Sequence, residues 1–261
     1  MKIDQIAAQL YSVRKELEHD PETTLKNLKE IGFQAVQLDG MRGHSARDIK
    51  KLLDEYNLKV AGMHIKHRRF FEDVDGIVEE ALLFGCKTIY DKYIDDEEQH
   101  LVGYQETKKQ LLQVQGNLGG LGFRVGLHCP EYDFNTVVEN ATILDYITRP
   151  VNGVGIYAEP DTYWISVAGR DPLEEFKKFS HRAPIVHLKD FIPGFAPEDM
   201  DNNLTELGQG NVHFKDIINW GDVNGVEYYC IEQDYSKIGM FNSMANSFDY
   251  LRNLSIGGQN E

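Results

Sequence analysis

Eight short apolar runs, each followed by a longer segment of helical periodicity, constrain the fold of this 261-residue chain more than any other feature. Strand-sized runs occur at Ile3–Leu10, Gln34–Leu38, Lys59–Ile65, Lys87–Tyr90, Phe123–His128, Gly153–Tyr157, Pro184–Leu188 and Val226–Ile231. Segments with a 3.6-residue apolar period follow them at Pro21–Ile31, Ser45–Tyr56, Val74–Phe84, Tyr104–Leu121, Thr136–Thr148, Pro172–Phe179, His213–Trp220 and Phe241–Leu251. Asp20 before Pro21 has the chemistry of a helix start, and Gly32, Asn57, Gly85 and Gly122 stand where left-handed caps end helices. With no composition break or low-complexity linker, the alternation predicts an α/β fold, one closed (β/α)8 TIM barrel over 1–254. Residues 255–261, small and polar, are expected to form a flexible tail. An open doubly wound sheet would place a glycine-rich loop after a strand. Gly116-Asn-Leu-Gly-Gly120 lies before one and reads as a helix end.

Charge narrows the partners. Against 27 basic residues stand 42 acidic ones, a net charge of −15, which repels phosphate backbones and anionic membranes and argues against nucleic acid or a membrane as partner. No run approaches the ~18 apolar residues of a membrane helix, and Met1-Lys-Ile-Asp-Gln5 has no apolar signal core. Cys86, Cys129 and Cys230 are odd in number and widely spaced, so they read as reduced thiols of a cytoplasmic protein.

A parallel barrel gathers residues at its strand ends, far apart in sequence, into one mouth. Asp161, His187 and Glu232 follow three successive strands. A mixed imidazole and carboxylate set with open positions suits one divalent ion. The oxygen majority favours Mn²⁺ or Mg²⁺, with Mn²⁺ preferred and Zn²⁺ and Co²⁺ as alternatives. One such residue alone is more often structural; three at equivalent positions point to a site. His64, ending the third strand, can donate to a substrate hydroxyl or be a core histidine bonded to a carbonyl. Lys66-His-Arg-Arg69 can hold a substrate phosphate or carboxylate, or be a solvated loop. Lys189 and Asp190 can orient His187 or pair with substrate. Tyr163 and Trp164 offer an aromatic face to a sugar ring, or lid packing. Tyr11 and Arg14 lie just beyond the first strand. The longest connection, Asp190 to Val212, reads as a lid or substrate contact.

Five stretches carry a resemblance: Gln9-Leu-Tyr-Ser-Val-Arg14, Asp161-Thr-Tyr-Trp164 with Gly169-Arg-Asp-Pro172, His187-Leu-Lys-Asp190, Glu206-Leu-Gly-Gln-Gly210 and Glu232-Gln-Asp234. Together, in this order, they resemble the sugar phosphate isomerase/epimerase family, the xylose isomerase-like TIM barrels, from Ile6 to about Leu251. Singly they are weak, and even together they say little about substrate. The resemblance implies Asp161, His187 and Glu232 as metal ligands with a fourth carboxylate from strand five. There the chain departs. Relatives with this opening usually carry His-Asn-His and then Glu-Phe, whereas this chain has His128-Cys-Pro-Glu-Tyr-Asp-Phe134. Aligned without gaps, Asp133 takes the glutamate's place and Pro130 that of the second histidine. Glu131 is the other choice for the ligand, and Asp133 is preferred. Gln37 stands at the end of strand two, where many relatives place a glutamate, a change that alters substrate contact or removes an acid/base group.

The function so implied is a metal-dependent sugar isomerase or epimerase acting on a keto-sugar or polyol derivative through an enediolate. Glu232 and Asp133 are the expected proton-exchanging pair. His64, His128, Glu131, Trp164, Lys189, Asp190 and Glu206 are the expected substrate contacts. Loss of water from the same intermediate would instead make a dehydratase or lyase of a keto-sugar or inosose. Two rivals remain: a metal-free barrel that only binds a sugar or a protein, motivated by Pro130, Asp133 and Gln37, and an endonuclease IV-like phosphodiesterase, disfavoured by the acidic charge. A homodimer is also expected, since barrels of this kind often pair.

Overall fold

The structure is a computed structural model describing residues 1–128, 136–196 and 199–257, with residues 256 and 257 described by backbone alone. Eight strands, β1 (Ile6–Gln9), β2 (Ala35–Asp39), β3 (Lys59–Ile65), β4 (Thr88–Asp91), β5 (Arg124–His128), β6 (Tyr157–Glu159), β7 (Ile185–Leu188) and β8 (Tyr228–Ile231), form one parallel sheet. Their spatial order is β6-β5-β4-β3-β2-β1-β8-β7. The two ends of the sheet meet at an Asp161–His187 bridge, where the His187 N–H donates to the Pro160 carbonyl at 3.0 Å. The result is the expected TIM barrel, nearly closed, with its seam between β6 and β7.

The outer helices are α1 (Pro21–Ile31), α2 (Ala46–Glu55), α3 (Val74–Leu83), α4 (Leu101–Leu118), α5 (Ile143–Thr148), α6 (Pro172–Phe176), α7 (Phe214–Val223) and α8 (Met240–Gly257). Asp20 caps α1 through the Thr23 N–H, and Ser45 and Asp73 cap α2 and α3 in the same way. Gly32, Asn57, Gly85 and Gly122 all have positive φ, as expected of left-handed helix ends. Among the described residues, no helix is long and apolar enough to cross a membrane.

Three boundaries differ most from the sequence expectation. Strand six lies later, at Tyr157–Glu159, because Asn152 and Gly153, both at positive φ, turn Val151 back onto Val154 in a tight hairpin. Helix five is short for the same reason: Glu139 and Asn140, again at positive φ, join Val137–Val138 to Ala141–Thr142 as a small antiparallel pair before the helix begins. The last helix continues to Gly257, past the expected helix end at Leu251; residues 258–261 lie outside the described residues.

Strand alternation builds two cores. Outward residues such as Val36, Leu38, Val125, Leu127, Val186 and Leu188 belong to the main core with Leu25, Leu28, Ile49, Leu53 and Ile77 on the inner faces of the helices. Inward residues Ala7, Ala35, Ala61, Tyr90, Ile185 and Cys230 form a separate apolar floor inside the barrel, with Tyr157 and Tyr228 against it. Tyr90 fills the space that Gly126 leaves: a Cβ there would lie 2.4 Å from the ring and 2.7 Å from the Tyr157 carbonyl oxygen. Gly126→Ala should therefore cost about 1–3 kcal/mol. Urea unfolding measures it, and an unchanged midpoint would show that the floor is loosely packed.

His67, buried, ties the β3 loop to the end of β4. Its Nδ1 lies 2.5 Å from Asp91 and its Nε2 2.7 Å from Glu98. Burial opposes its charge, but bonding to the two acids outweighs this and raises the imidazole to about 9. A folded value above the ordinary 6.5 means stabilisation that is complete below pH ~6.5 and lost as pH rises through ~9. It should amount to on the order of 2 kcal/mol, given the partial exposure of Glu98. Wild type should lose stability relative to His67→Gln between those values; parallel pH curves would remove His67 from that role.

Candidate functional site

Two residues beyond the apolar floor, the inward positions become polar. Gln9 follows Ala7, Gln37 follows Ala35, Glu159 follows Tyr157, His187 follows Ile185 and Glu232 follows Cys230, and all of these polar residues are buried. His64 and His128 stand in the same way beyond Gly62 and Gly126. The β2–β3 register shifts between Val36 and Gln37, which sets Gln37 beside Gly62. A Cβ at Gly62 would lie 2.5 Å from Ile185 Cδ1 and 3.4 Å from Gln37 Nε2, so the glycine leaves room for the Ile185 side chain, with the Gln37 amide at contact distance.

Asp161, His187 and Glu232 converge at the mouth. Asp161 caps the short helix Thr162–Val167: Oδ1 accepts the Tyr163 and Trp164 N–H groups at 2.8 and 3.2 Å. Its Oδ2 is thereby aimed inward, 3.8 Å from His187 Nδ1 and 3.4 Å from Lys189 Nζ. His187 Nδ1 lies 2.6 Å from Glu232 Oε2, and its Nε2 lies 2.7 Å from Gln37 Oε1. Lys189, buried beside them, reaches Glu232 at 3.3 Å and Asp234 at 2.9 Å, its ammonium 5.3 Å from the Trp164 ring centre.

Burial and charge compete throughout this cluster. For His187 burial disfavours charge, yet Glu159 and Glu232 outweigh it and lift the imidazole to about 10. Burial alone would raise Glu232, but Lys189 and His187 hold its carboxyl well below the ordinary range. Asp161 goes the other way: burial, with the charge of Glu232, lifts it to about 6 against the pull of Lys189 and His187. Burial drives His128 down to about 3. Asp161 is thus the acid of the set least able to hold its charge without a further cation.

His128, Asp161, His187 and Glu232 each offer a donor atom, all within 4.8 Å of one another; His64, His128, Glu159 and His187 form a second such group. Asp161 Oδ2 and His128 Nδ1 are buried with no well-formed hydrogen bond, their nearest charged neighbours being Lys189 Nζ at 3.4 Å and Glu159 Oε2 at 3.3 Å. Buried polar atoms are seldom left so, and two of them converging beside an imidazole and two carboxylates fit a divalent ion.

A cavity of about 650 Å³, ample for a small polar ligand, opens over this cluster and is lined by His64, His128, Trp164, Lys189 and Glu232, with Tyr11 and Arg14 on its rim. The structure does not bring Asp190 or Glu206 to it. Asp190 accepts the backbone N–H groups of Phe191, Gly208, Gly210 and Val212, which pins the long loop after β7. Glu206 takes the Ser243 hydroxyl from α8. Met200 and Asp201, from the same loop, do line the cavity. Arg68 and Arg69 are paired with Asp95 and with Asp73 and Glu80. Glu131 and Asp133 lie outside the described residues.

Sequence reasoning missed Glu159, fully buried at the end of β6 and bonded to Gln37 and His64. The available signal was the period of two. Tyr157, Glu159 and Asp161 share one face, and a strand ending at Tyr157 hid the middle residue.

No protein-family model matches the chain. It is 22% identical over 263 residues to an inosose dehydratase of Lacticaseibacillus casei, with 88% of this chain and 85% of that protein covered. Its structural neighbours are sugar phosphate isomerase/epimerase and xylose isomerase-like TIM barrel proteins, and it shares their fold. A sugar phosphate isomerase/epimerase from Parabacteroides distasonis superposes with a TM-score of 0.77 at 17% identity, over 97% of this chain and 94% of that one. The IolI protein with a binding zinc atom gives 0.69 at 14% identity, over 96% and 98%.

If these donors hold an ion, protein dialysed against Mn²⁺ and desalted should retain one metal per chain, and the Asp161→Ala/Glu232→Ala double variant should retain none by elemental analysis. Equal retention by both would remove the pair from the site.

Proposed function

We propose that this chain is a divalent-metal-dependent enzyme that isomerises or epimerises a keto-sugar or polyol derivative through an enediolate. The observation that carries the proposal is the convergence of Asp161, His187 and Glu232 below the mouth cavity, with Asp161 Oδ2 buried and without a hydrogen-bond partner. Asp161, His187 and Glu232 would hold the ion, with Asp133 or Glu131 from the strand-five segment as the fourth ligand. Mn²⁺ is preferred on the oxygen majority, and Zn²⁺ is the alternative. When bound, the ion supplies Lewis acidity toward a carbonyl and its neighbouring hydroxyl, which acidifies the C–H between them.

The chain's own groups supply the proton handling. Glu232, kept ionised beside Lys189 and His187, takes the proton from the carbon next to the carbonyl. Asp133 is the proposed partner that returns a proton: to the other face of the same carbon in epimerisation, to the adjacent carbon in isomerisation. The Lys189 ammonium donates to the substrate oxygen on which charge develops, and its burial strengthens that interaction. Trp164 offers its ring to the apolar side of the substrate, and His128, which also lines the cavity, binds a hydroxyl. The proposed setting is the cytoplasm, on the sequence grounds given above.

The likeness to inosose dehydratases favours a second reading on the same site, loss of water from the enediolate. Lys189, beside Asp234, would then protonate the leaving hydroxyl.

Incubating the Mn²⁺-loaded protein with a panel of keto-sugars and inososes in D₂O tests both readings. Deuterium should enter next to the carbonyl of the true substrate, with retained hydroxyls marking an isomerase or epimerase and a lost hydroxyl a dehydratase. Glu232→Gln should slow the exchange by about 10²-fold or more. Exchange at the wild-type rate would reject Glu232 as the base.

A further inference from the structure

Gln37 and Glu159 are not among the proposed ligands, yet both are buried against His187, and the directions of their hydrogen bonds can be worked out from fixed ends. The Tyr11 backbone N–H donates to Gln9 Oε1 at 3.2 Å, which leaves Gln9 Nε2 to face His64 Nδ1 at 3.3 Å. An amide nitrogen only donates, so His64 Nδ1 accepts, and the ring proton is on Nε2, where it meets Glu159 Oε2. The other Glu159 oxygen, Oε1, lies 2.5 Å from Gln37 Nε2. A carboxylate only accepts, so the Gln37 amide must turn its nitrogen to Glu159 and its oxygen, Oε1, to His187 Nε2 at 2.7 Å. His187 Nε2 must then carry a hydrogen. Nδ1 is the nitrogen left to face Asp161 and Glu232.

We infer that Glu159 and Gln37 form a positioning relay that fixes the His187 ring, holding Nε2 as the donor to Gln37 and presenting Nδ1 to the ligand cluster. The relay rests on the proposed metal site and deepens it. It also gives the glutamine a reason. A glutamate at position 37 could accept from His187 but would set a second carboxylate against Glu159, whereas an amide donates on one side and accepts on the other.

The negative charge can be moved along the relay without losing a hydrogen bond. In Glu159→Gln, the Nε2 hydrogen of His64, fixed by Gln9, requires residue 159 to turn its amide oxygen to His64, since its nitrogen there would set donor against donor. Accepting from His64 aims its nitrogen at the Gln37 nitrogen, so Gln37 turns over and offers a donor to His187 Nε2. In the swap Gln37→Glu/Glu159→Gln, residue 37 accepts from His187 and from the amide at 159, whose oxygen still accepts from His64. The swapped pair therefore restores the wild-type directions.

Histidine-labelled ¹⁵N NMR reads the His187 Nε2 proton, and calorimetric titration with zinc alone reads affinity. Wild type should show a protected Nε2 proton with or without zinc. Glu159→Gln should lose that protection and bind zinc about 10–100-fold more weakly, with circular dichroism unchanged, and the swap should recover both. Unchanged protection and affinity in Glu159→Gln overturns the relay, as does a swap no better than the single variant. If wild type binds no zinc while protection still follows the substitutions, the relay stands and the metal reading falls. A Glu159→Gln protein that fails to fold leaves the comparison of wild type with the swap, in which an unprotected Nε2 proton in the swap overturns the relay.

Discussion

A carboxylate can be buried on the axis of a barrel only if donors are brought to it, and Glu159 imposes that requirement on its neighbours. His64 and Gln37 meet it from β3 and β2, and the positive charge of His187 lies close by. With Glu159 so bonded, and despite its burial, the charge of His187 and the hydrogen bonds that the carboxylate accepts hold it well below the ordinary carboxylate range. The orientation of Gln37 follows from it, and the presentation of His187 follows from Gln37. In the cluster centred on His187, three acids, Glu159, Asp161 and Glu232, stand against two cations, His187 and Lys189, the latter shared with Asp234, in a setting where unpaired charge is costly. That imbalance makes a divalent cation a natural complement to the cluster.

The barrel's seam contributes as much as its strands. β6 is three residues long, and beyond it Asp161 leaves the sheet to cap a short helix while its backbone still pairs with His187. One carboxylate thus has one oxygen spent on helix N–H groups and the other free for the cluster. The cap locks the side chain's rotamer, which is what a ligand placed at a strand end needs in order to be held in position.

Behind the mouth, the loop after β7 is built from within. Asp190, adjoining the strand that carries His187, accepts four backbone N–H groups of that loop, and Glu206 anchors the loop to α8. Residues that resemble a family's signature therefore need not line the cavity. Some keep the wall in place that brings Met200 and Asp201 over the cavity.

The barrel was legible in the chain because apolar periodicity and helix-end chemistry are local: eight alternations, the caps at Asp20 and Ser45, and the left-handed ends at Gly32, Asn57, Gly85 and Gly122. Asp161, His187 and Glu232 were legible as candidates for a related reason, since each closes a strand-sized run and a parallel barrel collects strand ends. The short hairpins at Asn152-Gly153 and Glu139-Asn140 displaced the expected boundaries of strand six and helix five, and with the first of them Glu159 went unseen. Which polar residues face one another across the barrel is not a local property. The partnership of Gln37 with His187 spans 150 residues, and that of Gln37 with Glu159 spans 122. The turning of Asp190 and Glu206 toward the loop instead of the mouth was likewise decided only in three dimensions. Hydrogen-bond direction depends on which donor meets which acceptor, and only the closed barrel brings them together.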